Sequence, residues 1–405
     1  MKTVAQLFQL AWAYLCARPF ASLLNLSLLA LGLGAITFLL LINHQVERAV
    51  ERDLAGIDVV VGAKGSPMQL ILSGVFHIDV PPGNIALADV QALRKSPQVK
   101  TLIPLSLGDN LQGFRIVGTT HDYAVHYNAQ LAGGALWSKP MQAVLGAHVA
   151  QSTGLVVGQA FEGAHGLGAG GHKHGELPYQ VVGVLKPCAC VLDRLVLTAT
   201  ESVWQVHEKA TALDEEDRKL LEAEREITMA LITYKSPMAA VTFPRFVNTS
   251  TNMQAAAPAV EVARLMQMLG VGTQVLQGFA YVLLAVAALS VCMALANAVR
   301  ERQADLALMR MLGAPRAKVA GLVLAEALIL AVLGVGFGLL LGHGLTALLG
   351  YLLQAQKSIA LSGWVWLPQE WWVVALALVV AVLAAAVPLW RAYQTDALSV
   401  LNART

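Results

Sequence analysis

The sequence is poor in charge. Only 13% of its 405 residues are Asp, Glu, Lys or Arg, whereas an ordinary soluble domain carries about 25%. Hydrophobic residues make up 56% of the chain. The net charge of +2 gives no indication of a nucleic-acid partner, and none is expected. A composition this apolar predicts a chain that is solvated partly by lipid.

Cysteines are scarce, and a phosphate-binding loop is absent. Four cysteines are too few for a disulfide scaffold, and Cys16 and Cys292 lie in or beside apolar stretches as small packing residues. No Gly-x-x-x-x-Gly-Lys-Ser/Thr motif occurs. Neither a nucleophile–base arrangement nor a catalytic pair of carboxylates stands out. We therefore predict no enzyme activity and no cofactor bound by this chain.

Long apolar stretches predict four transmembrane helices. A bilayer core needs roughly 20 apolar residues, and the first stretch has no Asp, Glu, Lys or Arg between Arg18 and Glu47. It is too long for a cleaved signal peptide and ends in a polar segment without a small-residue cleavage site. The other three stretches are as long or nearly so, and tryptophans precede the last one, as at a membrane interface.

Basic residues in the short flanks predict the orientation. Residues 300–318 contain five basic and two acidic residues, and the amino-terminal flank has Lys2 and Arg18 without an acid. Both termini and this loop are thus expected in the cytoplasm, as in a multi-pass membrane protein. The predicted order is an amphipathic amino terminus (1–19), helix 1 (20–46), an extracytoplasmic or periplasmic domain (47–264), helix 2 (265–299), a cytoplasmic coupling loop (300–318), helix 3 (319–353), a short outer loop (354–370), helix 4 (371–390) and the carboxyl terminus (391–405).

The region between helices 1 and 2 predicts a large α+β domain. Short β-like runs alternate with turn residues, followed by charged helical sequence over residues 201–226. At its start Val46, Val50 and Leu54 repeat at helical spacing. The helices at both ends of the domain either form a stalk that carries motion or simply overshoot the bilayer. The clearest predicted elements are strands at 58–61, 113–118, 179–185 and 227–233 and a helix at 88–95.

Helix 3 carries a repeat of small residues and one acid. Gly334, Gly338 and Gly342 recur every fourth residue, so they share a face on which two backbones can approach closely in lipid. The partner of this face, another helix of the chain or a second copy, is left open. Glu326 lies about two turns into the helix and is expected to snorkel or to pair with a loop arginine, the alternative being a transport relay.

The cytoplasmic loop predicts a short amphipathic helix. Leu306, Met309 and Leu312 form an apolar stripe, Gly313 is expected as the C′ residue, and Pro315 prevents continuation. Such a helix lies on lipid or docks into the groove of a partner.

This loop resembles the signature of the FtsX-like permease family, which includes MacB-type and LolC-type ABC transporter subunits. The resemblance also covers Glu326, the glycine repeat, Arg18-Pro19, residues 388–398 and the one-plus-three arrangement of helices around an outer domain. It implies a homodimeric permease of the bacterial cytoplasmic (inner) membrane, or a heterodimer with a related permease. It also implies a separate cytoplasmic ABC ATPase as partner, which holds the ATP and Mg. The residues to which it gives an ATPase-coupling role are Arg302, Leu306, Met309, Arg310, Leu312, Gly313 and Arg316.

The outer domain contains histidines and cysteines of the types that bind soft metals. His172 and His174 lie one residue apart, as do Cys188 and Cys190, and His165 precedes them. Alternate residues of an extended strand point to the same side, and nitrogen with sulfur donors favours zinc or copper. The alternative is a surface loop rich in glycine, with cysteines that are free or oxidised.

Three functions remain possible from the sequence. The first is an ABC permease subunit that moves its outer domain to export or extract a substrate, with membrane lipid and a periplasmic protein as further partners. The second is a transmitter that transports nothing and activates an extracytoplasmic enzyme. The third is a zinc-linked or copper-linked exporter or sensor.

Overall fold

The structure, a computed structural model, describes residues 2–166, 177–211, 222, 224–355 and 361–394. These fall into two compact units. A helical unit takes the described residues of 1–45, 269–353 and 361–405, and a domain unit takes those of 46–268 and 354–360.

Helices occur in both units. Along the chain they are α1 (Lys2–Cys16), α2 (Pro19–Leu54), α3 (Pro67–Gly74), α4 (Leu87–Arg94), α5 (His121–His126), α6 (Ala147–Thr153), α7 (Thr200–Thr211), α8 (Ala239–Ser250), α9 (Pro258–Glu301), α10 (Gln303–Met311), α11 (Arg316–Ala355) and α12 (Glu370–Gln394).

Four of these helices, α2, α9, α11 and α12, are long and apolar enough to cross a membrane. They contain the four stretches predicted from the sequence, at 20–46, 265–299, 319–353 and 371–390. Both α2 and α9 begin with proline. Proline is favoured at this position because an N–H in the first turn has no hydrogen-bond partner within the helix. The structure therefore confirms the four predicted apolar helices and the position of the domain between the first and the second of them.

The core of the helical unit is built from small and branched apolar side chains. One cluster joins Leu29 and Leu33 of α2 to Leu284 and Ala287 of α9 and to Ala377 of α12. A second cluster gathers residues of α1, α9, α10, α11 and α12. The described buried side chains of this unit are mainly apolar, and their packing fixes the helices as one body.

Strands form the domain unit. They are β1 (Val59–Ala63), β2 (Ile85–Ala86), β3 (Val99–Leu111), β4 (Phe114–Thr119), β5 (Leu131–Gly134), β6 (Gln142–Leu145), β7 (Ala160–Phe161), β8 (Ala164–His165), β9 (Tyr179–Leu185), β10 (Leu195–Ala199), β11 (Glu226–Ile227), β12 (Met229–Tyr234) and β13 (Met253–Ala256).

One mixed sheet organises the domain. Its main order is β13-β1-β12-β3-β4-β10-β6-β9-β5, with β7 on β9 and β8 on β3, while β11 and β2 form a separate ribbon. The long strand β3 pairs with β12 through its first half and with β4 through its second half. It thereby joins the two halves of the sheet.

Both faces of the sheet are covered, which explains why β1 reads as a continuous run of valines rather than an alternating pattern. Val60 belongs to one core cluster, whereas Val59 and Val61 belong to another on the opposite face. The α+β prediction is confirmed, and β1, β4, β9, β12 and α4 match the predicted elements. Of the predicted helical region 201–226, α7 covers the start, and most of residues 212–223 lie outside the described residues.

The ends of α2 and α9 that lie in the domain unit pack on its core. Val50 and Leu54 of α2 contact one cluster of buried side chains, to which Val262 of α9 also belongs. The hydroxyl of Tyr127 donates to the backbone oxygen of Asp53 at 2.8 Å. The predicted helical extensions of the domain are therefore integral parts of its fold.

Candidate functional site

The short helix α10 is separated from α9 by one residue and closed by a glycine. Arg302 leaves the helical conformation with φ −100° and ψ 16°. After Met311, Gly313 takes φ +93°, which only glycine adopts at little cost. The N–H of Gly313 donates to the oxygen of Arg310 and that of Ala314 to the oxygen of Met309, both at 3.0 Å. This is a Schellman motif, so the C′ role predicted for Gly313 is confirmed.

A buried ion pair fixes the start of α10 to α11. Nη1 of Arg302 donates to Oε1 of Glu326 at 2.5 Å, and the two side chains are 12% and 5% exposed. The guanidinium also lies 3.7 Å from the ring centroid of Tyr14 on α1, within the range of a cation–π contact. The expected pairing of Glu326 with a loop arginine is thus confirmed. Because the pair is mostly removed from water, separating its members would leave an uncompensated charge.

The inner side of α10 is held by apolar packing. Leu306 and Ala307 are each 2% exposed, and Leu306 joins the core cluster that contains Ala11, Val319 and Leu322. Beside it, Arg18 and Glu301 form an ion pair at the surface of the same unit. One side of α10 is therefore built into the fold.

The other side of α10 carries large apolar side chains without cover from the described residues. Leu308, Met311 and Leu312 are 53%, 55% and 83% exposed. Met309 and Arg310 are half-buried, while Arg316 is exposed and lies 5.9 Å from the ring of Tyr393. The stripe predicted from the sequence is thus divided, with Leu306 inside and Leu312 outside. Leu308 and Met311 were missed, although their spacing to Leu312 at i, i+3 and i+4 was a readable signal.

The glycine repeat of α11 packs against α2 of the same chain. A Cβ on Gly334 would lie 2.4 Å from a methyl group of Leu29, and one on Gly342 would lie 2.6 Å from Cβ of Thr37. At the centre, Gly338 and Gly34 face each other so closely that a Cβ on Gly34 would meet the oxygen of Gly338 at 3.1 Å. The partner that the sequence left open is therefore an intramolecular helix.

Polar groups form hydrogen bonds near the end of α11 that is farther from α10. His343 of α11 contacts the oxygen of Gly363 through Nδ1 at 2.8 Å and Oε2 of Glu370 through Nε2 at 3.2 Å. Gln45 exchanges two hydrogen bonds with the backbone of Ser362, at 2.8 and 3.0 Å. The one histidine that interrupts the third apolar stretch is thereby hydrogen-bonded.

Of the five residues predicted to bind metal, the structure describes three. Cys188 and Cys190 form a disulfide, so in this oxidised form neither sulfur is a thiolate donor. Nδ1 of His165 lies 3.0 Å from Oδ1 of Asp109, and His172 and His174 lie outside the described residues. Among the residues that the structure describes, no three metal-binding side chains come together. A metal site here stays a prediction for the reduced protein.

Buried polar groups of the domain form hydrogen bonds between its elements. Oδ1 of Asp53 accepts a hydrogen bond from the N–H of Val191 at 3.0 Å, which ties α2 to the turn after the disulfide. Nε2 of His77 lies 2.9 Å from the hydroxyl of Tyr123. Burial, and then the charge of Arg115, lowers the pKa of His77 well below its usual value, and burial lowers the pKa of Arg115 to about 10. His77 is accordingly a neutral hydrogen-bonding group.

Comparison with known families gives two matches in separate parts of the chain. Residues 22–227 match the model described as MacB-like periplasmic core domain, which alone spans about half of the chain. Residues 278–397 match the model described as FtsX-like permease C-terminal. The second match includes α10, Glu326 and the glycine repeat, and the first includes most of the domain.

Two solved structures are similar to part of the chain. The periplasmic region of MacB from Actinobacillus actinomycetemcomitans is 12% identical, with a TM-score of 0.35 over 54% of this chain and 97% of that one. The extracellular domain of the noncanonic ABC-type transporter YknZ from Gram-positive bacteria is 12% identical, with a TM-score of 0.31 over 49% of this chain and 98% of that one. No curated protein sequence matches the chain.

Proposed function

We propose that this chain, which belongs to the FtsX-like permease family and carries a MacB-like periplasmic core domain, couples ATP hydrolysis by a separate ABC ATPase to movement of its outer domain. Its four apolar helices span the bacterial inner membrane, with both termini in the cytoplasm. Two copies, or this chain and a related permease, form the working unit. The movement exports or extracts a substrate that is reached from the outer side.

The observation that carries this proposal is the two-sided character of α10. Its inner side is fixed by Leu306 and by the Arg302–Glu326 pair. Its outer side exposes Leu308, Met311 and Leu312 at one end of the helix. Burying apolar surface contributes about 25 cal/mol per Å², so a groove on a partner gains affinity from covering these three side chains. An amphipathic helix seated in a groove is a recurring mode of recognition.

The contacts of the helical unit provide a route for force from α10. Arg302 passes displacement to α11 through Glu326. The glycine face of α11 passes it to α2, because backbones in such close contact cannot slide independently. Both α2 and α9 are continuous helices that extend into residues of the domain unit. The mainly apolar core of the helical unit also suits a mechanical role better than a hydrophilic channel.

The ATPase contact is tested by placing charge on the outer side of α10. In the double variant Leu308→Asp/Leu312→Asp, we expect loss of co-purification with the ABC ATPase that accompanies the wild-type chain. We also expect at least about a tenfold loss of stimulated ATP hydrolysis, since 1.4 kcal/mol of lost binding is tenfold. Both positions are exposed, so the variant should fold normally.

The matched control is Gln303→Asp/Ala317→Asp, which adds the same charge at exposed positions of the same region. It should copurify with the ATPase and stimulate it as the wild type does. If the Leu308/Leu312 variant behaves like this control, α10 is not the ATPase contact.

The orientation is tested by cysteine labelling. In a background with the four native cysteines replaced, we expect Val156→Cys to react with a membrane-impermeant maleimide on intact spheroplasts. Leu312→Cys should react only after permeabilisation. Both side chains are more than half exposed, so a difference in labelling reports the side of the membrane. Labelling of Leu312→Cys in intact spheroplasts would reverse the orientation.

A further inference from the structure

The helical unit contains a cavity of about 440 Å³ beside the start of α10. It lies between the end of α1, the start of α2, the last turns of α9 and the first half of α11. Its volume falls within the range of about 300–1,000 Å³ that small-molecule sites occupy. This cavity is separate from the exposed outer side of α10, because Leu308, Met311 and Leu312 do not line it.

Two guanidinium–carboxylate pairs line the cavity. Arg18 pairs with Glu301, and Arg302 pairs with Glu326. The first pair is partly exposed, with side chains 31% and 60% accessible, whereas the second is almost buried. Asn25 and Ser22 add further polar groups to the wall. The lining thus offers two positively charged donors and two negatively charged acceptors, so it carries no net charge.

The rim of the cavity is apolar. Phe20 lines it and is 82% exposed, and the neighbouring Leu23 and Leu24 of α2 are 62% and 50% exposed. A polar wall beside an exposed apolar rim matches a molecule that is itself amphiphilic. It fits a free phosphate or a soluble phosphoester less well, because neither uses the rim.

We propose that this cavity binds the headgroup of a phospholipid with a primary ammonium, such as phosphatidylethanolamine, with its acyl chains along Phe20 and Leu24. The phosphate accepts hydrogen bonds from the guanidinium groups and the ammonium donates to the carboxylates. A quaternary ammonium has no N–H to donate, and an anionic headgroup meets a wall without net positive charge. The inference rests on the membrane insertion stated under the proposed function. A bound lipid would connect α1, α2 and α9 beside the anchor of α10.

Native mass spectrometry of the delipidated full chain tests this binding. The protein is offered an equimolar mixture of phosphatidylethanolamine, phosphatidylcholine and phosphatidylglycerol with identical acyl chains. We expect one phosphatidylethanolamine per chain to be retained with about a tenfold preference, the worth of one charge-assisted hydrogen bond. Arg18→Gln/Glu301→Gln should remove the preference, and Ala294→Phe, which fills the cavity from its wall, should remove the bound lipid.

The control Arg316→Gln/Asp305→Asn removes the same charges at exposed positions outside the cavity and should keep the preference. Equal retention of the three lipids, or an unchanged preference in the Arg18/Glu301 variant, would overturn the proposal. Displacement of the lipid by glycerophosphoethanolamine or inorganic phosphate at equal concentration would assign the site to soluble phosphates instead. The assay contains no ATPase, so a negative result leaves the proposed coupling role of α10 intact.

Discussion

Gly338→Leu is expected to destabilise the helical unit by about 3 kcal/mol or more, at the upper end of the cost of overpacking. A Cβ at this position would lie 2.8 Å from Cβ of Leu33, 3.3 Å from the nitrogen of Gly34 and 3.4 Å from the oxygen of Ala30. Two of these atoms belong to the backbone of α2, which cannot be relieved by a change of rotamer. The substitution therefore has to separate α11 from α2, and ATPase stimulation should be lost with the packing.

The matched control is Gly336→Leu on the same helix. Apart from its chain neighbours and the backbone of its own helix, no atom of the described residues lies within 4 Å of a Cβ built at Gly336. Both substitutions gain similarly in helix propensity over glycine, about 1 kcal/mol, so the difference between the two variants isolates the packing term. Stability is measured by detergent-induced unfolding followed by tryptophan fluorescence. If the two variants unfold alike, the contact between α11 and α2 is not close in the protein.

Glu326→Leu is expected to cost about 3–5 kcal/mol, the usual penalty for removing one member of a buried ion pair. The reason is that Arg302, only 12% exposed, would keep its charge without a carboxylate. The double variant Arg302→Met/Glu326→Leu should recover most of this loss, because apolar side chains of similar size can fill the site. The single variant should also uncouple the ATPase, since the start of α10 loses its contact with α11.

A double-mutant cycle in the free energy of unfolding measures the interaction between Arg302 and Glu326. The comparison pair is Arg18→Met/Glu301→Leu, whose wild-type side chains are more exposed. Exposed pairs contribute about 0–1 kcal/mol, so this cycle should give a small coupling. A coupling between Arg302 and Glu326 that is equally small would contradict the assignment of the pair as the anchor of α10.

The amino-acid sequence determined the features that depend on local pattern. Stretches of about 20 apolar residues are identified by length and composition alone, and all four lie within α2, α9, α11 and α12. Gly313 and Pro315 determined the end of α10, because a residue in the left-handed conformation ends the helix and a proline two residues later prevents its continuation. Each motif of the family signature likewise lies in neighbouring residues, which is why the resemblance could be recognised before any contact was known.

Only the tertiary structure decided which surfaces meet. The periodicity of apolar residues predicted one apolar stripe along α10, but the neighbouring helices bury Leu306 and leave Leu312 exposed. The spacing of Gly334, Gly338 and Gly342 predicted a close helix contact, and the structure shows that the contacting helix is α2. Cys188 and Cys190 could be thiolates or a disulfide from the sequence, and the fold joins them. For the two helix surfaces, the sequence specifies what each surface can do, whereas its partner depends on residues far away along the chain, which are brought close only by packing.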